Sequence, residues 1–252
     1  MKIAVITGAS SGLGEQFALK IDRMYQGIEE IWLVARRADK LAELSARLNK
    51  KTRILALDIT DSQALIGYTE ALKESGAEVS LLINNAGCGK LGAFDSMPST
   101  DSSLMIRLNC EALTVFTSLT LPFMKKNGEI INSCSIASFV PNTRMAVYSS
   151  TKAYVMSFSR ALREELKSRG INVLAACPGP MDTEFLALAG IQKGSSRTFD
   201  TLPRVKADVM AEKALKASSR KRSVYTNLAF YKFYRILAKL LPHSLVMKLA
   251  GT

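Results

Sequence analysis

Three glycines close to the start of the chain constrain its fold more than any other feature. They lie in Thr7-Gly8-Ala9-Ser10-Ser11-Gly12-Leu13-Gly14, spaced G-x-x-x-G-x-G. The preceding residues, Lys2–Thr7, form a short apolar run with β-branched members and no helical period, whereas 13–24 is compatible with a helix. A buried strand therefore passes into a helix through a tight loop with a bare backbone. Free N–H groups and the positive end of the helix dipole meet at such a loop, and together they favour an anion such as phosphate. Glycines there also let the helix pack close to the sheet.

The rest of the chain repeats this alternation. Lys2–Thr7, Glu30–Ala35, Arg53–Leu57, Val79–Ile83, Glu129–Cys134, Ile171–Ala176 and Ser223–Thr226 read as seven strands. Between them, 13–24, 39–50, 61–75, 100–126 and 147–169 read as helices. Gly76, Gly128 and Gly170 each fall between a helix and the next strand, where a left-handed residue is wanted. The pattern predicts an α/β fold: a single doubly wound Rossmann domain over 1–252, with a seven-stranded parallel sheet and helices on both faces. Its ligand cleft would lie at the carboxyl ends of the strands. Residues 182–206, with Gly190, Gly194 and Pro203, read as a lid with a short helix after the sixth strand.

Composition removes several function classes. At 252 residues and 48% hydrophobic, the chain supports one substantial core. No run of about 18 apolar residues predicts a membrane span. The N-terminal apolar stretch is too short for a signal peptide. Cys88, Cys110, Cys134 and Cys177 are separated by 22, 24 and 43 positions, which matches neither a zinc pattern nor a disulfide framework. Reduced thiols in a cytoplasmic protein are expected, as small packing residues along the cleft. His243 is the only histidine, so neither Ser-His-Asp hydrolysis nor a histidine-rich metal site is expected.

The residues that carry chemistry cluster at predicted strand ends. Tyr148 and Lys152 are four apart near the start of 147–169, which puts both on one helix face. An ammonium about 5 Å from a phenol stabilises the phenolate by roughly 3 kcal/mol at an effective dielectric near 20. That lowers a pKa of ~10 by about 2 units, toward the range where a tyrosine exchanges protons during hydride transfer to a carbonyl. Ser135 follows the fifth strand, where its hydroxyl can hold a substrate oxygen. Asn109 lies in a helical segment, where it either supports a kink and a water linking Lys152 to solvent or simply bonds backbone. Asn84-Asn85-Ala86-Gly87 follows the fourth strand, with Asn84 read as structural, and Pro178-Gly179 with Thr183 follows the sixth.

In this order and at these spacings, the residues make the chain resemble the short-chain dehydrogenase/reductase family, strongly over 1–185. The resemblance implies Tyr148 as acid/base, Lys152 holding ribose hydroxyls and tuning Tyr148, Ser135 positioning the carbonyl and Asn109 anchoring a relay water. It implies cofactor contacts from Gly8, Ser10, Ser11, Gly12, Leu13 and Gly14, and from Asp58 and Ile59. Asn85, Ala86, Gly87, Pro178, Gly179, Met181 and Thr183 complete the set. It also implies a homodimer or homotetramer pairing through the helices at 100–126 and 147–169.

The second strand ends Val34-Ala35-Arg36-Arg37 rather than in the acid that would bond a ribose 2′-hydroxyl. Arg36 and Arg37 suit a 2′-phosphate, so NADP(H) is the expected cofactor; a pair of merely solvated guanidiniums is the other reading. Ile136, Val140, Asn142, Met181, Phe185, Leu186, Leu188 and Ile191 would line a mostly apolar substrate site. The expected activity is hydride transfer between nicotinamide and the carbonyl or secondary alcohol of a lipophilic molecule: steroid-like, fatty-acyl or aliphatic. A non-catalytic dinucleotide sensor and a surface-binding protein are the alternatives, and no nucleic acid partner is expected.

Of the net charge of +12, residues 201–252 supply +9, with eleven Lys/Arg against two Asp/Glu. Within the basic segment 220–252, apolar residues at 230, 233, 234, 237, 240 and 241 follow helical spacing, and Lys232, Arg235 and Lys239 fall opposite them. The stripe either packs on the protein's own body or makes peripheral contact with an anionic membrane surface.

Overall fold

The structure, a computed structural model, describes residues 1–249, and 250–252 of the predicted C-terminal segment lie outside the described residues. Seven parallel strands form one sheet in the order β3-β2-β1-β4-β5-β6-β7: β1 Lys2–Thr7, β2 Glu30–Ala35, β3 Lys51–Ala56, β4 Glu78–Asn84, β5 Met124–Ser133, β6 Asn172–Ala176 and β7 Val224–Tyr225. Strand side chains alternate between two cores, because successive residues point to opposite faces. Ile3 and Val5 enter one core with Trp32 and Val34, while Ala4 and Ile6 enter the other with Ile31 and Leu33. Both faces are covered, as a parallel sheet requires.

α1 (Gly12–Met24), α2 (Ala38–Ser45) and α3 (Ser62–Ser75) connect the first four strands. α4 (Ser99–Ile106), a π-turn over Arg107–Ala112 and α5 (Leu113–Thr120) lie before β5, and α6 (Ala146–Glu165) before β6. α1 and α9 (Ala207–Ser219) cover one face, and α3 and α5 cover the other. The strand order reverses between β1 and β4, and the cleft opens there at the carboxyl ends. Among the described residues, Ser99–Phe123 is the one helical stretch long and apolar enough to cross a membrane, with mean hydropathy 1.2. It buries Met105, Leu113 and Phe116 in this protein's own cores.

Several predicted boundaries move, each for a physical reason. The helix expected at 39–50 stops at Ser45, because the Asn49 and Lys50 amides donate to the Asp22 carboxylate on α1, at 3.0 and 2.8 Å. β3 accordingly starts at Lys51 rather than Arg53. The helix expected to reach residue 126 ends at Thr120, and β5 begins at Met124. Pro122 has no amide to continue the helix, and the Arg169 guanidinium donates to the carbonyls of Leu121 and Met124 at 3.0 and 2.9 Å. Gly76 and Gly170 take left-handed conformations as expected, but at the third corner Asn127 does so, with φ of 62°, in place of Gly128. The lid region contains two short helices rather than one, α7 (Glu184–Leu188) and α8 (Arg197–Thr201). Beyond β7, α10 (Ala229–Leu240) and α11 (His243–Leu249) return toward the cleft.

Candidate active site

The glycine loop runs from β1 into α1 with Gly8 and Gly12 at φ of +66° and +56°, a backbone that side chains rarely tolerate. A Cβ at Gly14 would meet the Gly8 carbonyl and the Asn85 amide nitrogen, so the helix sits directly against the loop. Ser11, at the N-cap of α1, makes no capping side-chain hydrogen bond, which leaves the first amides available to an anion. These features fit a dinucleotide pyrophosphate.

A ladder of polar groups ties this loop to the end of β5, two residues before Ser135. Thr7 Oγ1 accepts from the Asn85 and Ala86 amides at 3.0 and 3.1 Å. Asn85 Nδ2 donates to Gly8 O at 3.2 Å, and Ser133 Oγ donates to Asn85 Oδ1 at 3.0 Å. Asn84 is buried and donates to Thr117 Oγ1 and Asn132 Oδ1, both at 2.8 Å, so its place is structural. The sequence motifs gave no sign of the parts taken by Thr7 and Ser133.

Ser135, Tyr148 and Lys152 meet at the ends of β5 and α6. The Ser135 hydroxyl, which accepts from the Ala137 amide at 3.1 Å, lies beside the Tyr148 phenol. Lys152 Nζ donates to Ser133 O at 2.9 Å and lies 5.7 Å from the centre of the Tyr148 ring. Burial pushes the Tyr148 phenol well above its ordinary value, with the Ser135 hydroxyl acting in the opposite direction. Burial also lowers the Lys152 ammonium. The depression of Tyr148 expected from four-residue spacing is thus outweighed, because desolvation of the phenolate dominates.

Asn109 sits in the π-turn and bonds backbone, one of the two readings its position allowed. Its Nδ2 donates to Cys88 O at 2.8 Å and Thr151 Oγ1 at 3.0 Å, while its Oδ1 accepts from the Cys88 amide at 2.9 Å. It is buried behind Gly87, whose added Cβ would lie 3.0 Å from Asn109 Oδ1 and 3.5 Å from Lys152 Nζ. All four cysteines are free, Cys134 and Cys177 buried and Cys88 and Cys110 half-buried.

One cavity of about 1050 Å³ joins these parts. Every cofactor-contact residue named from the sequence lines it except Gly14, which lies beneath the loop. Arg36 and Arg37 stand at its rim. Arg36 approaches Asp58 at 3.8 Å, whereas Arg37 pairs with Glu184 of α7 at 2.9 Å and donates to Ser10 Oγ at 3.2 Å. Although burial pushes the Asp58 carboxyl up, bonds from the Thr60 amide and hydroxyl and the Arg36 charge hold it below its ordinary value.

Ile136, Asn142, Met181, Phe185, Leu186, Leu188 and Ile191 line the remaining space as expected, but Val140 does not. It is buried instead against Ala238 and Val246 of the C-terminal helices. Those helices supply a further wall, in which Tyr234, Leu237 and Leu241 of the predicted stripe join Tyr231 and Val246. The Tyr231 ring fills the space above Gly179, and its hydroxyl donates to Pro203 O at 2.6 Å, joining α10 to the lid. The predicted packing stripe is therefore divided. Tyr231 and Ala238 are buried, Tyr234, Leu237 and Leu241 half-buried, and Phe230, Phe233 and Leu240 exposed.

Known proteins are similar to this chain in sequence and fold. The model of the short chain dehydrogenase family matches residues 2–193. An NADP-dependent 3-hydroxy acid dehydrogenase from Schizosaccharomyces pombe is 30% identical over 233 residues, 88% of this chain and 89% of its own. The very-long-chain 3-oxoacyl-CoA reductase of Rattus norvegicus is 32% identical over 223 residues, 84% of this chain and 67% of its own. A short-chain dehydrogenase from Sphingobium yanoikuyae, solved in complex with NADPH, superimposes with a TM-score of 0.81 at 30% identity. That match covers 98% of this chain and 95% of the other.

Proposed function

The chain belongs to the short-chain dehydrogenase/reductase family, and on that premise we propose that it is an NADP(H)-dependent oxidoreductase that interconverts a lipophilic ketone or aldehyde and its alcohol. The observation that carries this reading is the continuity of one cavity. Ser135, Tyr148 and Lys152 line the same cavity as the glycine loop and the apolar Phe185, Leu186, Ile191 and Leu237, which supports this reading. Bound NADPH supplies the hydride that reaches the carbonyl carbon.

Ser135 holds the carbonyl oxygen by a hydrogen bond, and Tyr148 gives its phenolic proton to that oxygen as the C–H bond forms. A phenol with an ordinary pKa of ~10 carries its proton at neutral pH, so Tyr148 serves as the acid in reduction and its phenolate as the base in oxidation. Lys152 holds the ribose hydroxyls and stabilises the phenolate left behind. Asn109, through Cys88 O and Thr151, fixes the backbone beside Lys152, and a water anchored there returns the proton from solvent. Arg36 and Arg37 take the 2′-phosphate. The free thiols fit a reducing, cytoplasmic compartment.

Purified protein given NADPH and a series of ketones of rising chain length, followed at the nicotinamide absorbance, tests this reading. The expected result is kcat/KM that climbs with apolar length. Consumption only with short polar keto acids would contradict the lipophilic assignment, and no consumption with any carbonyl would contradict the enzyme assignment.

A further inference from the structure

Among the described residues, none packs over the outer face of α10. Phe233, Ile236 and Leu240, spaced three and four apart, share that face and are 59%, 54% and 75% exposed. Phe230, Leu228 and Leu245 extend the bare apolar surface at either end. Lys232 and Lys239 are exposed on the adjoining face, four before and three after Ile236. The other edge of the stripe, Phe230 and Leu237, borders the mouth of the cavity. From Lys213 onward the sequence has nine Lys/Arg and no Asp or Glu. Among the described ion pairs, none engages Lys232, Arg235 or Lys239.

An apolar ridge edged by cations, on a segment without acidic side chains, is complementary to an anionic bilayer. We propose that α10 docks this protein on an anionic membrane surface. Phe233, Ile236 and Leu240 enter the acyl boundary, and Lys232 and Lys239 lie among the headgroups. Docked in this way, the cavity edge at Phe230 and Leu237 lies beside the lipid, which gives a lipophilic substrate a short path toward Tyr148. That last consequence rests on the function proposed above, whereas the docking itself rests only on the surface.

Cosedimentation of the full chain with vesicles separates the two. Vesicles containing phosphatidylglycerol are expected to bind the protein at low salt and release it at high salt, and pure phosphatidylcholine vesicles to bind little. Lys232→Gln with Lys239→Gln should weaken binding by about 25-fold, at roughly fivefold for each cation near such a surface. Phe233→Ser with Ile236→Ser should weaken it by at least about tenfold. Neither pair lines the cavity, so both variants should keep wild-type NADPH affinity, which also shows that they are folded. Absence of binding to anionic vesicles at low salt would overturn the proposal, whatever the turnover assays give. So would binding that Phe233→Ser with Ile236→Ser leaves unchanged. A dimer that dissociates in that variant, with no vesicle binding by the wild type, would overturn it in favour of a second copy of this chain as the occupant.

Discussion

Arg36 and Arg37 show how far single residues can be read from sequence. Two guanidiniums after β2 are visible at once, and both reach the cavity rim. Their current partners, Asp58 and Glu184, are distant in sequence and only the fold brings them close. Both pairs are solvent-exposed, so they hold the side chains weakly and leave them available to a phosphate. Arg36→Ala with Arg37→Ala should therefore weaken NADPH binding by about 1.5–3 kcal/mol for each charge-assisted bond lost, while changing NADH binding little. Equal losses for both cofactors, measured by fluorescence titration, would refute the assignment. Tyr148, Lys152, Ser135 and Asn109 were legible because their order and spacing are distinctive. The upward displacement of Tyr148 was not, since it comes from burial by loops and helices that the spacing cannot describe.

At the scale of elements, strands were easier to place than helix ends. β-branched runs mark β1, β2 and β4 directly, but α2 and α5 stop where tertiary partners intervene. The end of α2 depends on Asp22, which accepts from the Asn49 and Lys50 amides and from Asn49 Nδ2 at 2.9 Å. Burial alone would raise the Asp22 carboxyl, but those bonds hold it below its ordinary value. A depressed folded pKa means that stabilisation is complete above the unfolded pKa of about 3.9 and is lost as pH falls through the lower folded value. Asp22→Ala should cost about 1.5–3 kcal/mol at pH 7 by urea unfolding, and the difference from wild type should shrink on acidification toward pH 3. A pH-independent difference would remove the carboxylate from the account. The C-terminal wall of the cavity was legible only as an amphipathic helix. Which part of its apolar arc turns inward is decided by Gly179, which leaves room for the Tyr231 ring.

For the whole molecule, the doubly wound parallel sheet and a cleft at the carboxyl ends of its strands followed from strand–helix alternation, whereas the strand order and the assembly did not. Helices α4, α5 and α6 leave Ile106, Val115 and Tyr154 exposed. Pairing through them predicts a two-fold dimer or tetramer. Sedimentation at micromolar concentration should show one of these, and a monomer would count against it. The central claim is that one cavity holds NADP(H) and a carbonyl substrate against Tyr148. Steady-state turnover and NADPH affinity of Tyr148→Phe, measured side by side with wild type on the best ketone of the series, test it most directly. The account predicts unchanged NADPH affinity and turnover reduced by about 10²–10⁴, the range for a lost general acid; near-normal turnover would contradict it.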